Sequence, residues 1–307
     1  MMTLRGAYTA LVTPFTADGS AVELDRLADN IRYQAACGVA GVVPCGTTGE
    51  APTLTDQEHR VVVEKTVEIA RPAGLTVIAG AGSNNTAHAV HLHRFAQAAG
   101  ADAALHVCPY YNKPNQEGLY RHFMMIADSC GLPVVLYNVP GRTGVRLTAD
   151  TIVRLARHPA ITAIKDATGS VDLAAEIAIR TQLVLLSGDD PLTLPIAAVG
   201  GVGVISVVSN IVPDKVAALC RAILDGDWSE ARVLHGNLLA LSRGLLTMDT
   251  NPIPIKTAMA ILGRDTGAMR LPLCEPDPKA RQAVADLLRA ANVASSCLPV
   301  KPVMAPD

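Results

Sequence analysis

Short apolar runs rich in β-branched residues recur along the chain at 8–12, 41–45, 76–80, 103–108, 133–139, 161–164, 183–187 and 203–208. Runs that stay apolar, without alternating polar positions, predict strands buried on both faces. The segments between them are spaced like helices and carry start signals. Thr55-Asp56-Gln57-Glu58 precedes Val61, and 148–157 has Asp150 in its first turn. Eight strands, each followed by a helix, predict the α/β class and a parallel (β/α)8 TIM barrel. A doubly wound open sheet would usually carry Gly-x-Gly-x-x-Gly after its first strand, and Thr13-Pro14-Phe15-Thr16-Ala17-Asp18-Gly19 is not such a turn. Ala79-Gly80-Ala81-Gly82-Ser83-Asn84-Asn85 follows the third strand and lacks the full spacing, so it reads as a tight strand-to-helix turn.

The strand signal stops near residue 227. Beyond it, 229–246, 254–262 and 278–294 read as helices, without a new cluster of polar residues. The expected organisation is a barrel over 1–226, a C-terminal helical region over 227–294, and an irregular, proline-bearing tail over 295–307.

Composition narrows the function classes. Half of the 307 residues are hydrophobic and the mean hydropathy is +0.28, which suits a large packed core. A formal charge of −2 lacks the basic surface that nucleic acid or anionic lipid demands, so neither is expected as a partner. No uninterrupted apolar stretch reaches the ~18 residues of a membrane span, and the N-terminus lacks a secretory pattern. The seven cysteines are scattered with no Cys-x-x-Cys pair, which suits reduced thiols in a cytoplasm and argues against structural zinc.

The candidate chemistry centres on Lys165, at the carboxyl end of the run Ile161-Thr162-Ala163-Ile164. An ammonium is costly to bury there, which favours some neutral amine, a nucleophile that forms Schiff bases with ketones. The competing reading is a side chain that snorkels to solvent or pairs with Asp166. Lys65, Lys215 and Lys279 lie in amphipathic stretches, Lys113 and Lys301 in proline-bounded segments, and Lys256 in the helical region, so only Lys165 ends a core strand. Other strand ends would converge on the same mouth. Gly46-Thr47-Thr48-Gly49-Glu50 could hold a carboxylate on backbone N–H groups and hydroxyls, or be a plain capped turn. Three of the six tyrosines, Tyr110, Tyr111 and Tyr137, are expected at this mouth, where a phenol could carry protons or simply pack. Arg142 could clamp a carboxylate with its forked donors. Gly188 and Gly200-Gly201-Val202-Gly203 would permit either a phosphate or close packing against a small substrate. A metal site at His88, His91 and His93 is not expected, because positions 88 and 93 share a helix face poorly.

Taken together, Gly46-Thr47-Thr48-Gly49-Glu50, Pro109-Tyr110-Tyr111-Asn112-Lys113-Pro114, Gln116-Glu117-Gly118-Leu119-Tyr120, Tyr137 to Gly144, Ile164-Lys165-Asp166-Ala167-Thr168-Gly169, Ser187-Gly188-Asp189-Asp190 and Asn251-Pro252-Ile253-Pro254 resemble the dihydrodipicolinate synthase family. That family sits within the pyruvate-dependent class I aldolases, which also hold N-acetylneuraminate lyase. The resemblance implies a homotetramer, a dimer of dimers, and a lyase of lysine and diaminopimelate biosynthesis. It also implies a Schiff base between Lys165 and pyruvate, with Tyr137 moving protons. Thr47 would link Tyr137 to Tyr111, the latter reaching across from a neighbouring subunit. Thr48, with backbone near Ile205, would hold the pyruvate carboxylate. Gly188 and Asn251 would also contact substrate, and Arg142 would hold the carboxylate of L-aspartate 4-semialdehyde. No cofactor and no metal are expected, because the imine is itself the electron sink.

Two other functions compete. A sister aldolase would cleave N-acetylneuraminate or a 2-keto-3-deoxy sugar acid, and a non-catalytic paralogue would only bind a keto acid. Arg142 with the Tyr110-Tyr111 pair favours the semialdehyde over a sugar acid, and the intact lysine, tyrosines and threonines oppose the paralogue. For the lysine-binding allosteric site of many family members, His59, Asn84 and Tyr110 fit. Asp56 stands where a histidine is frequent, and His88 where a carboxylate often grips the amino group. Weak or absent feedback by lysine is therefore expected.

Overall fold

In a computed structural model, which describes residues 4–293, eight parallel strands close into one barrel in sequence order. They are β1 (Gly6–Ala10), β2 (Gly41–Val43), β3 (Thr76–Gly80), β4 (Ala103–Val107), β5 (Val134–Asn138), β6 (Ile161–Asp166), β7 (Val184–Ser187) and β8 (Gly203–Ser206). β1 pairs with both β2 and β8, which shuts the barrel. Every expected strand is present, with shifted ends. β1 starts at Gly6, whose N–H donates to Val202 O, and Gly6 pairs with Gly203. A Cβ on Gly203 would lie 2.1 Å from Gly6 O, so close backbone approach sets this end where no apolar run signalled it. β6 runs on through Lys165 and Asp166.

Period-two alternation decides which side chains face the barrel axis. One buried cluster holds Val135 and Tyr137 from β5, Ala163 from β6, Leu186 from β7 and Ile205 from β8. A second, on the outer side, holds Val134 and Leu136 from β5 with Ile161 and Ile164 from β6, the last two sharing that side because the β5–β6 register shifts by one residue between Val134 and Val135. Lys165 lies two residues beyond Ala163, on the inner set, and Tyr137 is its partner on the neighbouring strand. The lysine therefore enters the barrel because of strand parity.

Several helices begin at side-chain caps that satisfy free N–H groups. Thr55 forms a reciprocal capping box with Glu58, Thr148 accepts from Thr151 N, and Ser170 accepts from Leu173 N. The expected C-terminal helices are Trp228–Met248, Ile253–Ile261 and Pro278–Ala290. Their apolar residues Leu241, Leu245, Ile255, Met259 and Val284 share one core with Leu11, Val42 and Val216 of the barrel. The expected tail over 295–307 lies outside the described residues.

Candidate active site

Lys165 is 5% exposed and its Nζ lies 4.2 Å from the centroid of the Tyr137 ring. Snorkelling to solvent is thus ruled out by burial. Pairing with Asp166 is ruled out by parity: Asp166 is buried and accepts a 3.0 Å hydrogen bond from Thr168 Oγ1. Burial pushes the Asp166 carboxyl up to about 6. Among the described residues no carboxylate lies within ion-pair distance of Lys165 and no acceptor within hydrogen-bond distance of its Nζ. Gly188 is bare because the lysine stem passes it: a Cβ there would meet Lys165 Cγ and Cε, each at 3.0 Å. Asp190 is buried on the same side of the barrel, and its Oδ2 accepts from Val207 N at 2.9 Å and Val208 N at 3.2 Å, which anchors the backbone just past Ile205. Burial raises the Asp190 carboxyl and the positive charge of Lys165 opposes that rise.

A cavity of about 390 Å3 opens beside this lysine, with Tyr137, Thr47, Arg142 and Thr143 in its wall. Lys165 itself does not line it, so the Tyr137 ring stands as the contact between amine and cavity. Asn138, the last residue of β5, clamps the loop that follows: its Oδ1 accepts from Leu147 N at 3.0 Å and its Nδ2 donates to Leu147 O at 3.1 Å. Arg142, on that loop, donates from Nη2 to Asn251 O at 2.9 Å. Asn251 Nδ2 in turn donates to the buried Thr48 Oγ1 at 3.0 Å. A chain of contacts therefore joins Arg142, Asn251 and Thr48.

The three tyrosines do not converge. Tyr137 and Tyr110 border the cavity, whereas Tyr111 is 90% exposed and lies outside it. Its backbone is the cause: φ is +71° and Asn112 N donates to Tyr110 O at 2.9 Å, a strained three-residue turn that throws the side chain outward.

The far end of the cavity holds His59, His88 and Asp56. His59 Nε2 bonds Gly80 O at 2.7 Å, and burial pulls the imidazole below its ordinary value. Asn84 Nδ2 donates to Tyr110 O at 3.2 Å. His88 Nε2 faces Asp56 Oδ1 at 3.8 Å. His93 instead turns inward to His106, with 3.0 Å between Nδ1 and Nε2. Among the described residues no group of three or more His, Cys, Asp and Glu is arranged to hold a metal.

Sequence reasoning missed Glu50 and Lys256. Both are fully buried, and Lys256 Nζ donates to Glu50 Oε1 at 2.7 Å and to Thr13 O at 2.9 Å. One available signal was a lysine within the otherwise apolar helix Ile253–Ile261.

The Dihydrodipicolinate synthetase family model matches residues 3–291. The chain is 47% identical to the 4-hydroxy-tetrahydrodipicolinate synthase of Nitratidesulfovibrio vulgaris (strain DP4), across 95% of this chain and 100% of that protein. It is similar to the crystal structure of dihydrodipicolinate synthase from Aquifex aeolicus, with a TM-score of 0.91 and 43% identity, covering 94% and 99% of the two chains. It is equally similar in shape to the lysine-bound enzyme of the same type from Cyanidioschyzon merolae, with a TM-score of 0.91, 37% identity and coverage of 94% and 98%.

Proposed function

The chain belongs to the dihydrodipicolinate synthetase family, and from that premise we propose that it condenses pyruvate with L-aspartate 4-semialdehyde through an imine on Lys165. The observation that carries this reading is one amine, sheltered inside the barrel, unpaired, and in contact with a phenol. The Lys165 amine adds to the pyruvate ketone and water leaves, giving the iminium. The positive nitrogen acidifies the pyruvate methyl group, and Tyr137 relays its proton as the enamine forms. The enamine carbon attacks the aldehyde carbon, whose oxygen takes up a proton. The semialdehyde's amine then attacks the imine carbon, and the C–N bond to Lys165 breaks, releasing the cyclic product.

Thr48 and the backbone near Ile205 hold the pyruvate carboxylate in this reading, and Arg142 holds that of the semialdehyde. Arg142 lines the cavity with its guanidinium already oriented by Asn251 O, which supports that role. The outward Tyr111 supports a second copy of the chain completing the proton path through Thr47, in a homotetramer. A coupled assay with pyruvate and each candidate aldehyde, run beside Arg142→Ala, tests the assignment. The variant should raise KM for the semialdehyde about 10-fold or more, with imine formation retained. An untouched semialdehyde reaction removes Arg142 from the site.

Inhibition by lysine is proposed to be weak or absent. His88 supplies no carboxylate where an amino group would need one, and Asp56 is directed at His88 instead. Strong inhibition at sub-millimolar lysine would overturn this.

A further inference from the structure

The Lys256–Glu50 ion pair makes its contacts with Thr13, Phe15 and Arg270 rather than with Lys165 or Tyr137, yet it joins two segments that the site depends on. The ammonium is fully enclosed and meets three partners: Glu50 Oε1 at 2.7 Å, Thr13 O at 2.9 Å, and the Phe15 ring with its centroid 4.3 Å away. The other Glu50 oxygen, Oε2, accepts from Arg270 N at 3.1 Å. Such a pair is a poor device for stability alone, because an apolar pair of similar volume often serves a core as well or better. A fully satisfied buried network does specify one geometry, since any shift leaves a charge without a partner.

The geometry so specified is that of the turn 46–50. Gly49 N donates to Gly46 O, Glu50 N to Thr47 O and Ala51 N to Gly46 O. Glu50 sits in the left-handed region at φ 52°, a strained conformation for a residue with a side chain. Thr13 Oγ1 donates to Gly49 O at 2.7 Å, and a Cβ on Gly49 would crowd Leu11 O and Thr13 Oγ1, each at 3.1 Å. The segment 251–261 therefore grips this turn twice, through Asn251 on Thr48 and through Lys256 on Glu50, and it touches Arg142 through Asn251 O.

We infer that Glu50 and Lys256 are positioning residues for substrate binding: their ion pair holds the 46–50 turn so that the Thr48 hydroxyl and neighbouring N–H groups are set for a keto-acid carboxylate. This deepens the function proposed above and rests on Thr48 being the carboxylate site. The C-terminal helical region thereby becomes part of the substrate-binding apparatus without touching substrate.

Glu50→Asp keeps the charge and shortens its reach by one methylene. It should raise KM for pyruvate about tenfold while kcat at saturating pyruvate stays within about threefold. Amide exchange at 49–51 should quicken in the same variant, a readout independent of turnover. The double variant Lys256→Met with Glu50→Leu removes both charges and should give the same split, and it decides the matter if Glu50→Asp does not fold. A folded variant with unchanged KM, or with unchanged exchange at 49–51, overturns the inference even if its melting temperature falls. If the parent protein fails to form an imine with pyruvate at Lys165, the functional reading fails instead. The brace is then upheld by faster exchange in the variants and overturned by exchange that stays the same.

Discussion

Two buried lysines stand under aromatic rings at nearly equal distance, Lys165 at 4.2 Å from the Tyr137 centroid and Lys256 at 4.3 Å from that of Phe15. Their surroundings differ in one respect that decides their chemistry. Lys256 has a carboxylate and a carbonyl at hydrogen-bond distance, so its N–H groups are committed to fixed partners. Lys165 has neither among the described residues, and its neighbours along the stem are Gly188 and the Tyr137 ring. An amine with no acceptor at hydrogen-bond distance leaves its nitrogen open to a bound ketone, whereas one gripped by a carboxylate and a carbonyl is committed to holding the structure. Burial alone therefore says little about a lysine's function; the absence of a partner says much.

Replacing each lysine by methionine should separate the two roles. Lys165→Met is expected to cut turnover about 10^4-fold or more, with the melting temperature unchanged or raised, because it replaces a buried amine that has no hydrogen-bond partner by an apolar side chain of similar volume. Lys256→Met leaves Glu50 buried without its cation and should cost about 3–5 kcal/mol of stability, read by denaturant titration. Equal stability losses at both positions would break the comparison.

A control that involves neither lysine is provided by His93, His106 and His122, buried on β4 and its flanking helices. Burial lowers His93 and His122 to about 4 and His106 well below the ordinary imidazole value. The folded values lie below the unfolded one of 6.5, so their stabilising effect is complete above pH 6.5 and is lost as pH falls from 6.5 towards 4. Each of His93 and His122 is worth at most roughly 3 kcal/mol over that window. His122→Gln should flatten the fall of stability with acid, read as denaturant midpoints across that range, and an unchanged slope would contradict the assignment.

Much of this was legible in the residues themselves. The apolar runs located all eight strands because a parallel barrel buries both strand faces, and the run ending at Ile164 placed Lys165. Capping residues marked helix starts because unsatisfied N–H groups demand them locally. What escaped was set by contacts remote in the chain. Glu50 and Lys256 are 206 residues apart, and nothing near either announces the other. The outward turn at Tyr111 depends on a backbone conformation that its side chain disfavours, so no propensity foretold it. The placement of Asp190 under the end of β8 likewise follows from barrel closure.

The most direct measurement is borohydride reduction in the presence of pyruvate, followed by peptide mass mapping. The account predicts a stable pyruvate adduct on the peptide bearing Lys165 and none on that bearing Lys256. An unmodified Lys165, or an adduct carried by any other lysine, would contradict it.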